Sequence, residues 1–152
     1  CLLSRGLGDV YKRQGQTRDY IFGYTILNDV SARDVQTAHK QWYFGKSLDG
    51  FTPIGPCIVT ADAFADYPPR LGIRSFVNGE KRQDSNTALQ IFDIDHVIAE
   101  LSQGMTLKAG TIIATGTPAG VGMGMDPPQF LKPGDVVRCE IEGIGTLTNP
   151  VK

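Results

Sequence analysis

Turn residues interrupt this chain at short intervals, which limits what it can fold into more than any other feature. Pro53-Ile54-Gly55-Pro56, Asn78-Gly79, Pro133-Gly134 and Gly143-Ile144-Gly145 each bound a short apolar run. The 152 residues hold 18 glycines and 9 prolines. Between them the chain favours β-branched and aromatic side chains, as in Tyr20-Ile21-Phe22 and Thr111-Ile112-Ile113. That pattern favours a mainly β (α+β) domain with two or three short helices over a helical bundle.

The length suits one domain with a real core. Hydrophobic residues make up 41% and charged residues 20%, the proportions of an ordinary globular protein. A net charge of -1 offers no basic surface to nucleic acid or to an acidic membrane. No run approaches the ~18 apolar residues of a membrane-spanning helix. The three cysteines, Cys1, Cys57 and Cys139, form no CxxC pair and no His-linked spacing, which argues against zinc. Cys57 and Cys139 sit in apolar runs and read as small buried hydrophobes in a reducing cytoplasm.

The first residues read differently from the rest. The chain begins at Cys1, and its opening is too short and polar for a signal peptide. Asp9-Val10-Tyr11-Lys12-Arg13-Gln14 is similar to a translated tail found at the ends of assembled environmental sequences. Residues 1–14 are therefore expected to be foreign. Residues 15–152 are expected to form a single domain truncated on its N-terminal side.

Residues 20–27 read as a buried strand. Ser31-Ala32-Arg33-Asp34 fits a capping box, and a helix over about 32–41 follows. Cys57-Ile58-Val59-Thr60 is a strand after the Pro53–Pro56 turn, and Asp66-Tyr67-Pro68-Pro69 is loop. Leu71, Ile73 and Ser75 alternate toward Asn78-Gly79, a type I′ hairpin signal. Ile94, Val97, Ile98 and Leu101 make one apolar helix face, with Asp93 as N-cap and Gly104 just past the end. Residues 107–113 and 131–137 echo each other: each is a tight turn feeding a β-branched strand. The sum is antiparallel or mixed β.

Few residues carry chemistry. Asp29 ends the apolar run Gly23-Tyr24-Thr25-Ile26-Leu27-Asn28. A carboxylate there needs a partner, because a bare buried charge is costly. It reads either as a metal ligand or as a cap on the helix that follows. Lys46, in Phe44-Gly45-Lys46-Ser47, can steady an enolate or a carboxylate. By spacing alone it reads as a snorkelling surface lysine. Arg33 and Asp34 are adjacent and diverge on a helix, so each is expected to pair with another element. Residues 115–122 bring glycines, backbone amides and a hydroxyl to a strand end, but match neither a P-loop nor a dinucleotide fingerprint. They read as a plain loop. Glu140-Ile141-Glu142 reads as a solvated strand face. His39 and His96 read as structural or exposed.

In order along the chain stand Gly23-Tyr24-Thr25, Asn28-Asp29-Val30-Ser31-Ala32-Arg33-Asp34-Val35-Gln36, Gly45-Lys46-Ser47, Gly50-Phe51-Thr52-Pro53-Ile54-Gly55-Pro56, Val77-Asn78-Gly79-Glu80 with Arg82-Gln83, and Ala114-Thr115-Gly116-Thr117-Pro118-Ala119-Gly120-Val121-Gly122. With this set, residues 19–151 resemble the C-terminal part of the fumarylacetoacetate hydrolase family. The nearest branch is that of bacterial 2-hydroxyhepta-2,4-diene-1,7-dioate isomerases and acylpyruvate hydrolases. The resemblance implies a mixed β-sandwich roll, usually a homodimer, with Mg2+ or Mn2+ at the mouth of the roll. It implies that Asp29 is a metal ligand and that Lys46 contacts substrate and stabilises charge. Gln36 and Thr117 match positions that line the substrate pocket. The implied substrates are small 2-oxo or 2-enol acids in aromatic-compound catabolism, and the implied chemistry is C–C hydrolysis, enol–keto isomerisation or decarboxylation.

One departure stands out. The family's other metal ligands, a Glu-x-Glu pair, have no match before Gly23. Glu140-Ile141-Glu142 has the spelling but the wrong place. The chain alone is therefore expected to bind the ion weakly and to be inactive. A rival reading keeps the fold without the site, as a binding or scaffold domain. The enzyme reading expects Asp29, Lys46 and Thr117 to line one pocket, and the rival expects them apart.

Overall fold

A computed structural model describes residues 2–4, 16–38 and 40–152. His39, Cys1 and most of the suspected foreign tail lie outside the described residues. The strands are β1 (Leu2–Ser4), β2 (Ile21–Leu27), β3 (Ile54–Thr60), β4 (Gly72–Val77), β5 (Glu80–Asn86), β6 (Ile112–Ile113), β7 (Val136–Ile141) and β8 (Gly145–Pro150). The α-helices are α1 (Arg33–Ala38) and α2 (Ile94–Gly104). The mainly β class with short helices is as expected. Two four-stranded sheets form, in the orders β3-β2-β1-β6 and β5-β4-β7-β8. Every ladder between described strands is antiparallel, which narrows the mixed sheet expected.

The core lies between the sheets and under α2. Ile21, Tyr24 and Ile26 of β2 meet Ile94 and Ile98 of α2, with Leu107, Ile113 and Ile144. Cys139, Ile141 and Leu147 pack against them from the second sheet. The predicted face of α2 is therefore the buried one. Asp93 caps it, accepting from the His96 amide at 2.7 Å. Gly104 is the last residue of this helix rather than the residue beyond it. The His96 ring stacks on Phe92 with centroids 4.7 Å apart.

Turn chemistry matches the sequence closely. Asn78 and Gly79 take φ of 52° and 84°, the mirror-image turn that joins β4 to β5. In both members of the echo a glycine sits at positive φ, 81° at Gly110 and 94° at Gly134. Each turn closes with a backbone bond, Thr111 to Lys108 and Asp135 to Lys132, both at 3.0 Å. Ile54-Gly55-Pro56 departs from the reading: it belongs to β3, not to a turn before it. β3 is an edge strand, where proline costs no ladder bond. The same edge leaves Cys57 exposed, against expectation. Cys139 is half-buried, and burial pushes its thiol up.

Beneath the 66–69 loop, Thr17, Tyr67 and Asp95 share hydrogen bonds. The Tyr67 hydroxyl donates to Asp95 Oδ1 at 2.6 Å, and Thr17 Oγ1 lies against both, its one proton shared between them. Thr17 is fully buried, so the network satisfies groups that water cannot reach. Tyr67→Phe is expected to cost about 1–3 kcal/mol in urea unfolding, because Asp95 and Thr17 lose a partner. Burial, then the hydrogen bond to Asp95, raises the Tyr67 phenol above its ordinary value of 10.0. A raised pKa in the folded state adds stability below the unfolded value and loses it above. Stability should therefore decline above about pH 10, and less steeply in Tyr67→Phe.

Candidate functional site

β2 delivers Asn28 and Asp29 where the strand ends. The Asn28 amide bonds Pro53 O at 3.0 Å, and the Val30 amide turns back to Asn28 O at 3.0 Å. The chain then enters α1. Phe44–Lys46 forms a single tight helical turn against α1. The Ala32 amide bonds Gly45 O at 2.9 Å. A Cβ on Gly45 would lie 2.7 Å from the Gln36 nitrogen and 2.8 Å from Ala32 O. Only glycine lets the two segments meet, and their contact sets the reach of Lys46.

The Lys46 ammonium pairs with Asp29 Oδ2 and donates to Ser31 Oγ at 3.1 Å. Ser31 Oγ donates in turn to the Asp29 carbonyl at 3.2 Å. The predicted capping box is therefore not formed: α1 starts at Arg33, and the Ser31 hydroxyl serves Lys46 and Asp29 instead. The Asp29 and Lys46 side chains are 41% and 30% exposed, so the pair is open to a ligand. Neither original reading of Asp29 covers this ion pair, which joins two segments 17 residues apart. Sequence alone could not show it, because the close approach depends on Gly45.

Gln36 is buried, 2% exposed. Its Oε1 accepts from Arg33 Nη1 at 2.9 Å. Arg33 was expected to pair with another element; its partner is on its own helix, one turn away. That leaves further guanidinium donors on α1, a group the spacing argument undervalued. Asp34 is exposed.

Thr117 belongs to a second cluster. The 115–122 loop lies on β5, where Gln83 Nε2 donates to Thr117 Oγ1 at 2.9 Å and to Pro118 O at 2.8 Å. Arg82 of the same strand reaches Met125 Sδ at 3.0 Å, Glu80 at 3.3 Å, and Gln129. Among the described residues no hydrogen bond or ion pair joins Thr117 to Asp29 or Lys46. Beside Lys46 an open cleft of about 470 Å³ is lined by Ser47 to Pro53 and Asn149, and holds none of the three. Glu140 pairs with Arg138 at 3.3 Å, and Glu142 accepts from the Gly72 amide at 3.1 Å, so these carboxylates have separate partners. Among the described residues no three acidic, histidine or cysteine side chains converge as a metal cage.

The model of the fumarylacetoacetate (FAA) hydrolase C-terminal domain matches residues 1–152. The chain belongs to the fumarylacetoacetate hydrolase family. An oxaloacetate tautomerase of Bacillus subtilis is 51% identical to this family member over 133 residues, 88% of the chain and 44% of the relative. A mitochondrial oxaloacetate tautomerase of Xenopus laevis is 48% identical over 141 residues, 91% of the chain and 44% of the relative. The chain thus spans less than half the length of these curated relatives. The fumarylacetoacetate hydrolase structure from Exiguobacterium antarcticum superposes with a TM-score of 0.89 at 49% identity, over 99% of this chain and 53% of that one. A 2-hydroxyhepta-2,4-diene-1,7-dioate isomerase structure from Mycobacterium marinum does so at 0.84 and 45% identity, over 98% and 54%.

Proposed function

We propose that this family member is part of a divalent-metal-dependent enzyme acting on small 2-oxo or 2-enol acids. The ion pair of Asp29 and Lys46, steadied by Ser31 and open to solvent, is the observation that carries the reading. The reaction is C–C hydrolysis, enol–keto isomerisation or decarboxylation, in aromatic-compound catabolism and in the cytoplasm. The two tautomerase relatives favour enol–keto isomerisation of a 2-oxo diacid.

Asp29 is the residue that would hold Mg2+ or Mn2+. Its carboxylate oxygen is a hard donor that already accepts a cationic group, the Lys46 ammonium. It is one arm only, so the chain by itself is proposed to bind the ion weakly. When bound, the ion supplies Lewis-acid stabilisation to the substrate's chelating oxygens. Lys46 places a fixed positive charge beside the oxygen that becomes an enolate. Gln36 holds Arg33, whose remaining donors suit a second carboxylate of the substrate. Thr117 stands in the separate cluster on β5, not in one pocket with Asp29 and Lys46 as the enzyme reading expected, and its hydroxyl is proposed to meet the ligand from there.

The test grafts this chain in place of the matching segment of the Bacillus subtilis tautomerase. Decay of the enol absorbance of oxaloacetate should be accelerated, and Asp29→Ala should remove the acceleration. Trp42, Tyr43 and Phe44, exposed beside Lys46, suit a homodimer contact, so light scattering should give a dimer. A folded graft without activity would overturn the enzyme reading in favour of a scaffold domain, and a monomer would overturn the dimer.

A further inference from the structure

The hydrogen bonds around Gln83 have a fixed direction. The Pro118 carbonyl oxygen can only accept, so the amide nitrogen of Gln83 must face it, at 2.8 Å. The amide oxygen then faces Ser75, whose hydroxyl donates to it at 2.8 Å. The orientation of the side chain is thus set by two partners on opposite sides. The same nitrogen lies 2.9 Å from Thr117 Oγ1, which must therefore accept. A hydroxyl that accepts still has one proton to give. Among the described residues nothing takes it, and Thr117 is exposed.

We infer that Gln83 is a positioning residue for Thr117, committing its hydroxyl proton to an acceptor on the ligand, the carboxylate of a small acid. The inference rests on the reading of Thr117 as a substrate-pocket residue. A free hydroxyl can turn to suit a donor or an acceptor. One already bonded to an amide N–H keeps its proton and a second lone pair but turns less freely, so the proton is held toward one side, where an acceptor such as a carboxylate can take it. The device is precise because the Gln83 strand and the loop are clamped together. Gly120, with φ of 102°, lies so near the Arg82 carbonyl that an added Cβ would be 2.1 Å from it.

Nuclear magnetic resonance of the full chain separates the steps. The Gln83 side-chain NH2 protons should exchange with water about tenfold or more slower than those of exposed Gln129. Equal exchange overturns the clamp whatever any ligand does. Oxalate is the probe for the second step. In the wild-type chain it should shift the Thr117 signals. Gln83→Glu keeps the side chain's shape, but its carboxylate takes the Thr117 proton for itself and can no longer donate to Pro118 O. It is compared with Gln83→Leu, which loses the Pro118 bond but takes no proton. Oxalate affinity of Gln83→Glu should fall about tenfold to a hundredfold, further than that of Gln83→Leu. Thr117→Val should fall as far, the double variant no further, and Thr117→Ser should stay near wild type. A merely structural Gln83 would give additive losses, and that result, or unchanged affinity in a folded Gln83→Glu variant, overturns the inference. Oxalate that shifts Asp29 and Lys46 but not Thr117 overturns it too. Oxalate that shifts none of the three overturns the proposed substrate class and with it the carboxylate assignment, while the exchange rates still decide the clamp.

Discussion

Gly120→Ala is expected to destabilise the chain by about 3 kcal/mol or more and to release the 115–122 loop from β5. Two costs add. A non-glycine residue at φ of 102° pays roughly 1–2 kcal/mol for the left-handed conformation. The new Cβ would also lie 2.1 Å from the Arg82 carbonyl oxygen, a backbone atom that cannot turn aside. Overpacking of that kind costs about 1–3 kcal/mol. Gly116→Ala is the control. Gly116 has φ of 103° with nothing within 4 Å of its added Cβ. It should pay only the conformational cost of about 1–2 kcal/mol. Urea midpoints of the two variants separate strain from contact. Equal losses would mean that the loop does not press on β5. Because the clamp holds Thr117, Gly120→Ala should also unprotect the Gln83 amide protons, and Gly116→Ala should leave them protected.

The sequence carried the fold where the code is local. Asn78-Gly79, Pro133-Gly134 and the i, i+3, i+4, i+7 face from Ile94 to Leu101 each state their geometry within a few residues. Their turns and burial follow. It failed where tertiary contact overrides local preference. Ser31 looks like a helix cap, yet Lys46 approaches from 15 residues away and takes its oxygen. Cys57 sits in an apolar run, but sheet order puts that run at an edge. Pro56 signals a turn, but an edge strand tolerates proline and the turn never forms. The site divides in the same way. The ordered motifs named Asp29, Gln36, Lys46 and Thr117. Their partners Ser31, Arg33, Gly45 and Gln83 emerge only when α1, the Phe44–Lys46 turn and β5 are in place. Gly45 was legible as a glycine but not as a spacer, because its role depends on the backbone of Ala32 and Gln36.

Lys46→Ala should cut kcat/KM of the tautomerase graft by about a hundredfold to a thousandfold, the usual loss when one group stabilising a developing oxyanion is removed. Stability should barely change. The Asp29–Lys46 pair is partly exposed, and such pairs contribute about 0–1 kcal/mol. Asp29, 41% exposed, can be rehydrated when its partner leaves. The opposite pattern, a large fall in melting temperature with activity kept at low temperature, would make the pair a structural tie between β2 and the Phe44–Lys46 turn. Lys46→Arg refines the point. A guanidinium keeps the charge but is a planar fork, wider than an ammonium. Because the Lys46 backbone is held against α1 at Gly45, where an added Cβ would lie 2.8 Å from Ala32 O, the wider group should restore the pairing with Asp29 without restoring full turnover. Charge alone would then hold the site together, and the placement of one ammonium between Asp29 and Ser31 would set the rate.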